Sequence, residues 1–479
     1  MISKLNIYII VIIFFTTLFS RECLIDHGNS SRSTRPDKDT FAISPSGHFY
    51  IHYDIEGSAA PDPLDEDENG VPDYVDAVGV IADSAHYVLV DVLGYDEEPF
   101  DGEGGYDIYI MSYTAGMYGF CYHDGNGTSY LRIDNDYEGY DSIFDLTPMK
   151  IMQITVGHEY FHGIQWGYRF NLSGNVFFYE MSSMWFEDVL ISDGNDYLDG
   201  WADPLLNNPM ASFDNTGNGY ELALFGHYLS SFLDEKGKGN IYETTIIREM
   251  WEQFGLSTSN AFSAVKHIVD GENYALTFSE AWIDFISRNL YNGKYDDMEN
   301  SFYYYEDQAL INPISTYTSN LSDDVSFSLQ LDDESAAISS YSPLESNYIL
   351  EINHSSENYL GRLALISNNQ NSINNNLFWS NDTSIISAAD EVHFIYGTEE
   401  PSQNLNINVQ MSQSTQLLGD LNGDGGWNVM DVIALVNCVM NVNCTDMGYV
   451  SDINGDGVWN VMDVVALANC VLAANCENL

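Results

Sequence analysis

Residues 147–168 read TPMKIMQITVGHEYFHGIQWGY. Thr147-Pro148 is typical of a helix N-cap followed by proline at the first helical position. His158 and His162 are four residues apart, so both imidazoles lie on one face of this helix, one turn from each other. Two histidines in this arrangement can bind one zinc ion, and Glu159 can then accept a proton from a zinc-activated water. The stretch therefore predicts a zinc-dependent hydrolase.

The residues around the two histidines are mostly apolar, which favours a buried helix. Buried ionisable groups are costly unless they are paired or bind a metal. A surface helix with incidental histidines is the alternative, and the apolar flanks argue against it.

The third zinc ligand must come from another segment. Gln165 and Tyr168 stand where a metzincin-type pattern has Gly and His. A second predicted helix spans 177–190, and it contains Glu180 among apolar and small residues. We expect Glu180 to complete a His2Glu zinc site. Glu187 lies two turns further along a similar face, and it is the alternative ligand or a residue that orients a ligating histidine.

Several stretches carry a resemblance to a known family: GHFYIHY at 47–53, NGVPDYV at 69–75, GYDIYI at 105–110, VGHEYFHGIQWGY at 156–168, YEMSSMWFED at 179–188 and FGHYL at 225–229. With these motifs, residues 45–315 resemble a family of secreted, gluzincin-like bacterial metallopeptidases, known mostly from sequence. The resemblance implies an α+β zincin-like domain, catalytic zinc, a glutamate base and hydrolysis of peptide bonds. Met181-Ser182 departs from the family, which has Gly and a small residue after the ligand glutamate.

Peptide hydrolysis also needs a hydrogen-bond donor for the tetrahedral oxyanion. Tyr220 and His227 are the candidates, because both belong to a predicted helix at 220–233 that follows the zinc-binding helices in sequence. For His227, a structural role in the core or on the surface is the stronger alternative.

Two segments near the C-terminus repeat each other: DLNGDGGWNVMD at 420–431 and DINGDGVWNVMD at 452–463. Each places oxygen donors at positions 1, 3, 5, 9 and 12 of a loop, the spacing that calcium ligation requires. The predicted calcium ligands are Asp420, Asn422, Asp424, Asn428 and Asp431 in the first loop, and Asp452, Asn454, Asp456, Asn460 and Asp463 in the second.

Each of these loops leads into an apolar helix, predicted at 432–440 and 464–472. A duplicated loop and helix with Asp at position 12 resembles a type I dockerin module, here at 417–479. The resemblance implies a cohesin domain as partner and calcium as the ion that folds both loops. A calcium-stabilised terminal cap without a partner is the alternative.

The cysteines of this module repeat as well. Cys438 and Cys444 have the same spacing as Cys470 and Cys476, which predicts one disulfide in each repeat. Pairing across the repeats is the alternative.

An earlier loop, DEDENGVPDYVD at 65–76, has the same donor spacing and glycine at position 6. It predicts a structural calcium site, with a plain acidic turn as the alternative. The predicted ligands are Asp65, Asp67, Asn69, Asp73 and Asp76.

Residues 316–415 are rich in Ser, Asn and Asp and contain short runs in which apolar and polar residues alternate. This pattern predicts a β-sandwich-like domain. We expect it to separate the enzyme from the dockerin; binding of glycan or protein is the alternative.

The N-terminus indicates export. Residues 1–20 have the apolar core of a secretory signal peptide, with retention as a membrane anchor as the alternative. Residues 21–44 form an N-terminal segment that could be a propeptide. Cys23 and Cys121 remain after the dockerin pairs. They could form a disulfide with each other, or Cys23 could be removed with the signal peptide.

The net charge of −57, from 72 acidic and 15 basic residues, argues against nucleic acids and anionic membranes as partners. The sequence thus predicts a multidomain secreted protein: an α+β zincin-like peptidase, an all-β sandwich-like domain and a small α-helical dockerin. Its predicted function is zinc-dependent endopeptidase activity tethered through cohesin. The alternatives are a non-catalytic adhesion or scaffold protein with a degenerate peptidase fold, and a zinc enzyme with a narrow non-protein substrate.

Overall fold

The computed structural model describes residues 34–476. The gaps inside this range are 101, 103, 115–116, 125–126, 139–145, 199, 212, 214–218, 257–259, 294–302, 320–323, 331–335, 342–347, 355–358, 368–369, 374–381, 387–390, 399–403, 414–416, 442–443, 445–447 and 455–457. The predicted signal peptide and most of the candidate propeptide lie outside the described residues.

The described chain divides into two compact units. The first unit contains a five-stranded mixed sheet in the order β1-β2-β3-β5-β4. Its strands are β1 (Thr40–Ile43), β2 (Phe49–Tyr53), β3 (Tyr106–Ile110), β4 (Gly119–His123) and β5 (Ser129–Ile133). Strands β2, β3 and β5 run parallel, and β1 and β4 are antiparallel edge strands.

Two long helices accompany this sheet. Helix α1 spans Asp73–His86 and continues as a π-helical turn over Tyr87–Val92, and α2 spans Pro148–Tyr168. Thr147 precedes α2 as predicted, and its hydroxyl accepts a hydrogen bond from the Lys150 amide at 3.3 Å. The alternating burial of β2 shows how the sequence builds the core, because Phe49, Ile51 and Tyr53 all point inward.

The second unit begins with helices of very uneven length. They are α3 (Val176–Leu190), α4 (Asp203–Asn207), α5 (Ala223–Tyr228), α6 (Ile246–Leu256), α7 (Ala261–Val269) and α8 (Phe278–Arg288). The predicted helix at 220–233 is divided into a 3-10 turn, α5 and a π-helical turn. Thr277 and Glu280 form a capping box at the start of α8.

The strands predicted between 316 and 415 are present. One sheet has the order β11-β10-β13-β8-β6 and the other the order β12-β9-β14-β7. The strands are β6 (Tyr317–Ser319), β7 (Asp324–Gln330), β8 (Ala336–Tyr341), β9 (Tyr348–His354), β10 (Tyr359–Ser367), β11 (Gln370–Ile373), β12 (Asp382–Ile386), β13 (Glu391–Thr398) and β14 (Asn404–Gln413). All pairs are antiparallel except β6 with β8. The domain boundaries at 45–315 and 316–415 stay predictions.

The C-terminal repeats form helices α9 (Val429–Asn441) and α10 (Val461–Ala473). Leu435 and Leu467 occupy equivalent positions in the two helices and share one hydrophobic core with the cysteines. Disulfides join Cys438 to Cys444 and Cys470 to Cys476, so the predicted pairing within each repeat is confirmed.

Cys121 is buried, and it forms no disulfide with any cysteine of the described residues. Cys23 lies outside the described residues, so the pairing of these two cysteines stays a prediction. Among the described residues, no helix is both long enough and apolar enough to cross a lipid bilayer.

Candidate metal centre

Helix α2 holds the predicted zinc-binding residues in the interior. The side chains from Ile154 to Trp166 are all buried. Gly163 is required by this packing, since a Cβ atom there would lie 2.5 Å from the hydroxyl oxygen of Tyr106 on β3. At Gly119 on β4, a Cβ atom would lie 2.8 Å from Thr155 and 3.2 Å from Glu159, both on α2. Glycine at these two positions therefore allows α2 to lie directly against the sheet.

The two histidines of α2 face each other through their Nε2 atoms, which are 3.1 Å apart. Both side chains are fully buried. Two nitrogen ligands about 2.0–2.1 Å from a tetrahedral zinc ion lie about 3.3 Å from each other. The observed separation of His158 and His162 therefore fits a shared zinc ion.

Gln165 determines which nitrogen of His162 can bind metal. Its side-chain oxygen lies 2.8 Å from Nδ1 of His162, one turn along α2. An amide oxygen only accepts hydrogen bonds, so Nδ1 carries the proton and Nε2 keeps its lone pair. Gln165, which stands where a metzincin pattern has glycine, thus orients the imidazole of His162.

Glu159 is fully buried on α2, beside β4. Its negative charge affects the pKa values of two neighbours, Cys121 on β4 and Tyr113 after β3. Burial raises the pKa of the Cys121 thiol well above its usual value, and the negative charge of Glu159 raises it further. Burial and neighbouring charges, Glu159 among them, raise the pKa of Tyr113 as well.

Helix α3 carries both candidates for the third ligand, Glu180 and Glu187, and both are about 2 % exposed. The choice between Glu180 and Glu187 as the third ligand stays a prediction. The unusual Ser182 has a structural role, because its hydroxyl donates to the Phe178 carbonyl oxygen and accepts from the Trp251 indole.

The candidate oxyanion residues are both buried among aromatic rings. His227 stacks on Tyr305 with ring centroids 4.6 Å apart, and its Nε2 lies 3.7 Å from a carboxylate oxygen of Asp188. Burial lowers the pKa of His227 to about 3, so this imidazole is neutral at physiological pH. Tyr220 contacts Trp201 edge to face at 5.0 Å. Their role in catalysis stays a prediction.

The first C-terminal loop is organised by its own carboxylates. Asp420 accepts hydrogen bonds from the amides of Asp424 and Gly425, at 3.1 and 2.8 Å. Asp431 accepts from the amides of Asn422 and Asn428, at 3.2 and 2.9 Å. Asp420 and Asp431 are themselves buried, which fits carboxylates that close a loop around a cation.

In the second loop, the structure describes residues 452–454 and 458–463, and these have the same kind of hydrogen bonds as the first loop. Asp463 accepts from the amides of Ile453, Asn454 and Asn460, at 2.9, 3.2 and 2.8 Å. Asn460 and Asp463 also form the capping box that starts α10. Asp456 lies outside the described residues, and Asp452 stays a predicted ligand.

The loop at 65–76 gathers three of its five predicted ligands. The ligand atoms of Asp65, Asp67 and Asp73 lie within 4.8 Å of one another. Asn69 donates through its side chain to Asp67 and Asp76, at 3.2 and 2.8 Å. Calcium at this loop stays a prediction.

One group of possible metal ligands was missed from the sequence. His48, His86 and Glu98 bring their ligand atoms within 4.8 Å of one another. They lie 38 and 12 residues apart in the chain, so no local spacing could have shown that they meet.

Residues 418–472 match the Dockerin type I domain family. The predicted dockerin is thereby confirmed, and calcium as the ion of this module is supported. No curated protein matches the chain.

Five chains of solved structures match the protein. One is the crystal structure of Salmonella Typhimurium PliG, a periplasmic lysozyme inhibitor of g-type lysozyme. It matches at 8 % identity, over 20 % of this chain and 100 % of that chain, with a TM-score of 0.17. A likeness at this level carries no argument about fold or function.

Proposed function

We propose that the protein is a zinc-dependent endopeptidase that is held on a cohesin-bearing surface or scaffold by its dockerin. The observation that carries the proposal is the pair of buried Nε2 atoms, 3.1 Å apart, on His158 and His162. Full burial removes the solvent that two polar imidazoles would otherwise use, and a shared metal ion compensates for that loss.

His158, His162 and Glu180 would hold the zinc ion. This set of two imidazoles and one carboxylate is the catalytic donor set of many zinc peptidases, and three protein ligands leave a position for water. When bound, zinc supplies a Lewis acid that makes water nucleophilic near neutral pH and polarises a peptide carbonyl. Supporting the proposal, the three side chains are buried, and a bound metal ion would compensate for the cost of burying these ionisable groups.

Glu159 acts as the proton carrier of the reaction. It follows the first ligand directly in α2, and its side chain is fully buried beside β4. It takes the proton from the attacking water and delivers it to the leaving amine. Gln165 holds His162 in the tautomer that presents Nε2 to the metal.

The dockerin determines where this activity is located. Its two loops would each bind calcium, and α9 and α10 would present a surface to a cohesin domain. Val429, Met430, Val461 and Met462 are exposed at equivalent positions of the two repeats, which provides an apolar surface for a partner. A cohesin-bound enzyme lies outside the cell, in agreement with the predicted signal peptide.

Cleavage of a mixed peptide library by the purified chain without residues 1–20 tests the proposal. Calcium is kept constant, and Glu159→Gln serves as the matched control because it keeps the shape of the side chain. We expect the variant to retain zinc and to lose about 10²- to 10⁴-fold in kcat/KM. Equal cleavage by both proteins would contradict the role of Glu159. Bound zinc without cleavage by the wild type would favour a binding protein instead.

A further inference from the structure

A second group of histidines and carboxylate lies in the first unit, apart from the two imidazoles of α2. His48 precedes β2, His86 ends α1, and Glu98 lies in the segment before β3. The imidazole rings of His48 and His86 are 4.1 Å apart between centroids. His48 Nε2 lies 2.6 Å from one oxygen of Glu98. Three separate parts of the chain thus bring potential ligands to one point.

Tyr160 joins this group to the centre of α2. Its hydroxyl donates to the second oxygen of Glu98 at 2.5 Å. The same hydroxyl oxygen lies 2.7 Å from Nδ1 of His86. A phenol has one proton, and here Glu98 accepts it, so Nδ1 of His86 must be the donor in the second bond.

This hydrogen-bond chain prepares His86 to bind a metal. With the proton on Nδ1, Nε2 carries the lone pair, as it does in histidine ligands whose other nitrogen is held by a neighbouring residue.

We propose that His48, His86 and Glu98 bind a second divalent transition-metal ion of the zinc class, with Tyr160 as the residue that positions His86. Two nitrogens and one carboxylate oxygen suit zinc, whereas calcium prefers ligands that are all oxygen. The ligand atoms lie within 4.8 Å of one another, and about 28 % of the His48 side chain is exposed, so an ion can enter from solvent.

A metal ion at this point would connect α1, β2 and the Glu98 segment. Tyr160 belongs to the same helical turn as His158, Glu159 and His162, so the second site would also hold that turn in register. The role assigned to the ion is therefore structural.

Equilibrium dialysis with zinc, at saturating calcium, tests the second site by counting tightly bound ions. We expect two zinc ions per wild-type chain and one in His86→Gln. His158→Gln is the matched control, because it removes a ligand of the proposed catalytic ion only. The double variant should bind none. Loss of one ion in His158→Gln with no loss in His86→Gln would overturn the second site and leave the proposed function intact.

Two further measurements guard against a variant that fails to fold. Tyr160→Phe keeps all three ligands, and we expect zinc at this site to bind about 10- to 100-fold more weakly while the total stays at two. Anomalous diffraction at the zinc edge from wild-type crystals should show a peak among His48, His86 and Glu98. No peak there, in crystals with zinc at His158 and His162, would refute the proposal.

Discussion

Helix α2 and the dockerin loops are two contrasting ways to prepare a metal site. In α2, His158 and His162 are fully buried, and the proposed third ligand comes from another helix. In the dockerin, every predicted ligand of one ion comes from twelve consecutive residues, and several backbone amides already bind the carboxylates. Helix α2 is held in place by its buried neighbours, whereas each loop depends mainly on its own short-range hydrogen bonds.

The two regions differ in how much of their folding depends on a bound ion. A buried core supports α2, because its apolar neighbours pack whether or not zinc is present. The dockerin has a small core around Leu435 and Leu467, stapled by two disulfides. A core of that size stabilises little by itself, so the binding energy of calcium contributes to folding directly.

Removing calcium should have the largest effect and should separate the two regions. With EGTA at constant free zinc, we expect the dockerin to lose its helical order and cohesin binding to disappear, while zinc at α2 stays bound. Circular dichroism, cohesin pull-down and zinc content measure the three quantities. Asp431→Ala and Asp463→Ala, one in each loop, are variants that should each weaken calcium binding. Cohesin binding that persists without calcium would contradict the dependence of this module on the ion.

Replacing the third ligand should have the next largest effect. We expect Glu180→Gln to weaken zinc binding by more than about 100-fold, because a neutral amide is a poor ligand compared with a carboxylate. Glu187→Gln is the matched control on the same helix, and a residue that only orients a ligand costs about 10- to 100-fold at most. Competition with a zinc chelator gives both affinities. The reverse order would assign the ligand to Glu187.

The smallest expected effect is that of His227 on the free energy of unfolding at acidic pH. Burial holds the pKa of His227 at about 3, below its ordinary value of 6.5, so folding favours the neutral imidazole. As the pH falls from about 6.5 towards 3, the unfolded chain binds a proton that the folded chain refuses. His227 therefore lowers the free energy of unfolding by about 1.4 kcal/mol per pH unit in this window, and not above it.

Urea unfolding between pH 4 and pH 7 measures this slope. His227→Gln cannot titrate, so its stability should depend less steeply on pH than that of the wild type. Replacing the exposed His267 on α7 by Gln controls for the loss of a histidine. Equal slopes in the wild type and His227→Gln would show that His227 is protonated in the folded protein.

Local features were predicted well from the sequence. The cap at Thr147, the strands between 316 and 415 and both dockerin helices follow from short-range patterns, namely capping, alternation and repeats. The pairing of each cysteine with the one six residues away was also accessible, because the two repeats have the same spacing. In each case, the residues that form the pattern belong to one helix, strand or loop, or to the next one along the chain.

The sequence by itself determined the dockerin and the pair of imidazoles on α2, because residues four apart on a helix must share a face. Only the tertiary structure brought His48, His86 and Glu98 together. It also revealed why Gly163 is needed, since the hydroxyl of Tyr106 approaches α2 from a strand more than fifty residues away. Helical and turn periodicity fixes neighbours within an element, whereas contacts between elements depend on how buried side chains pack.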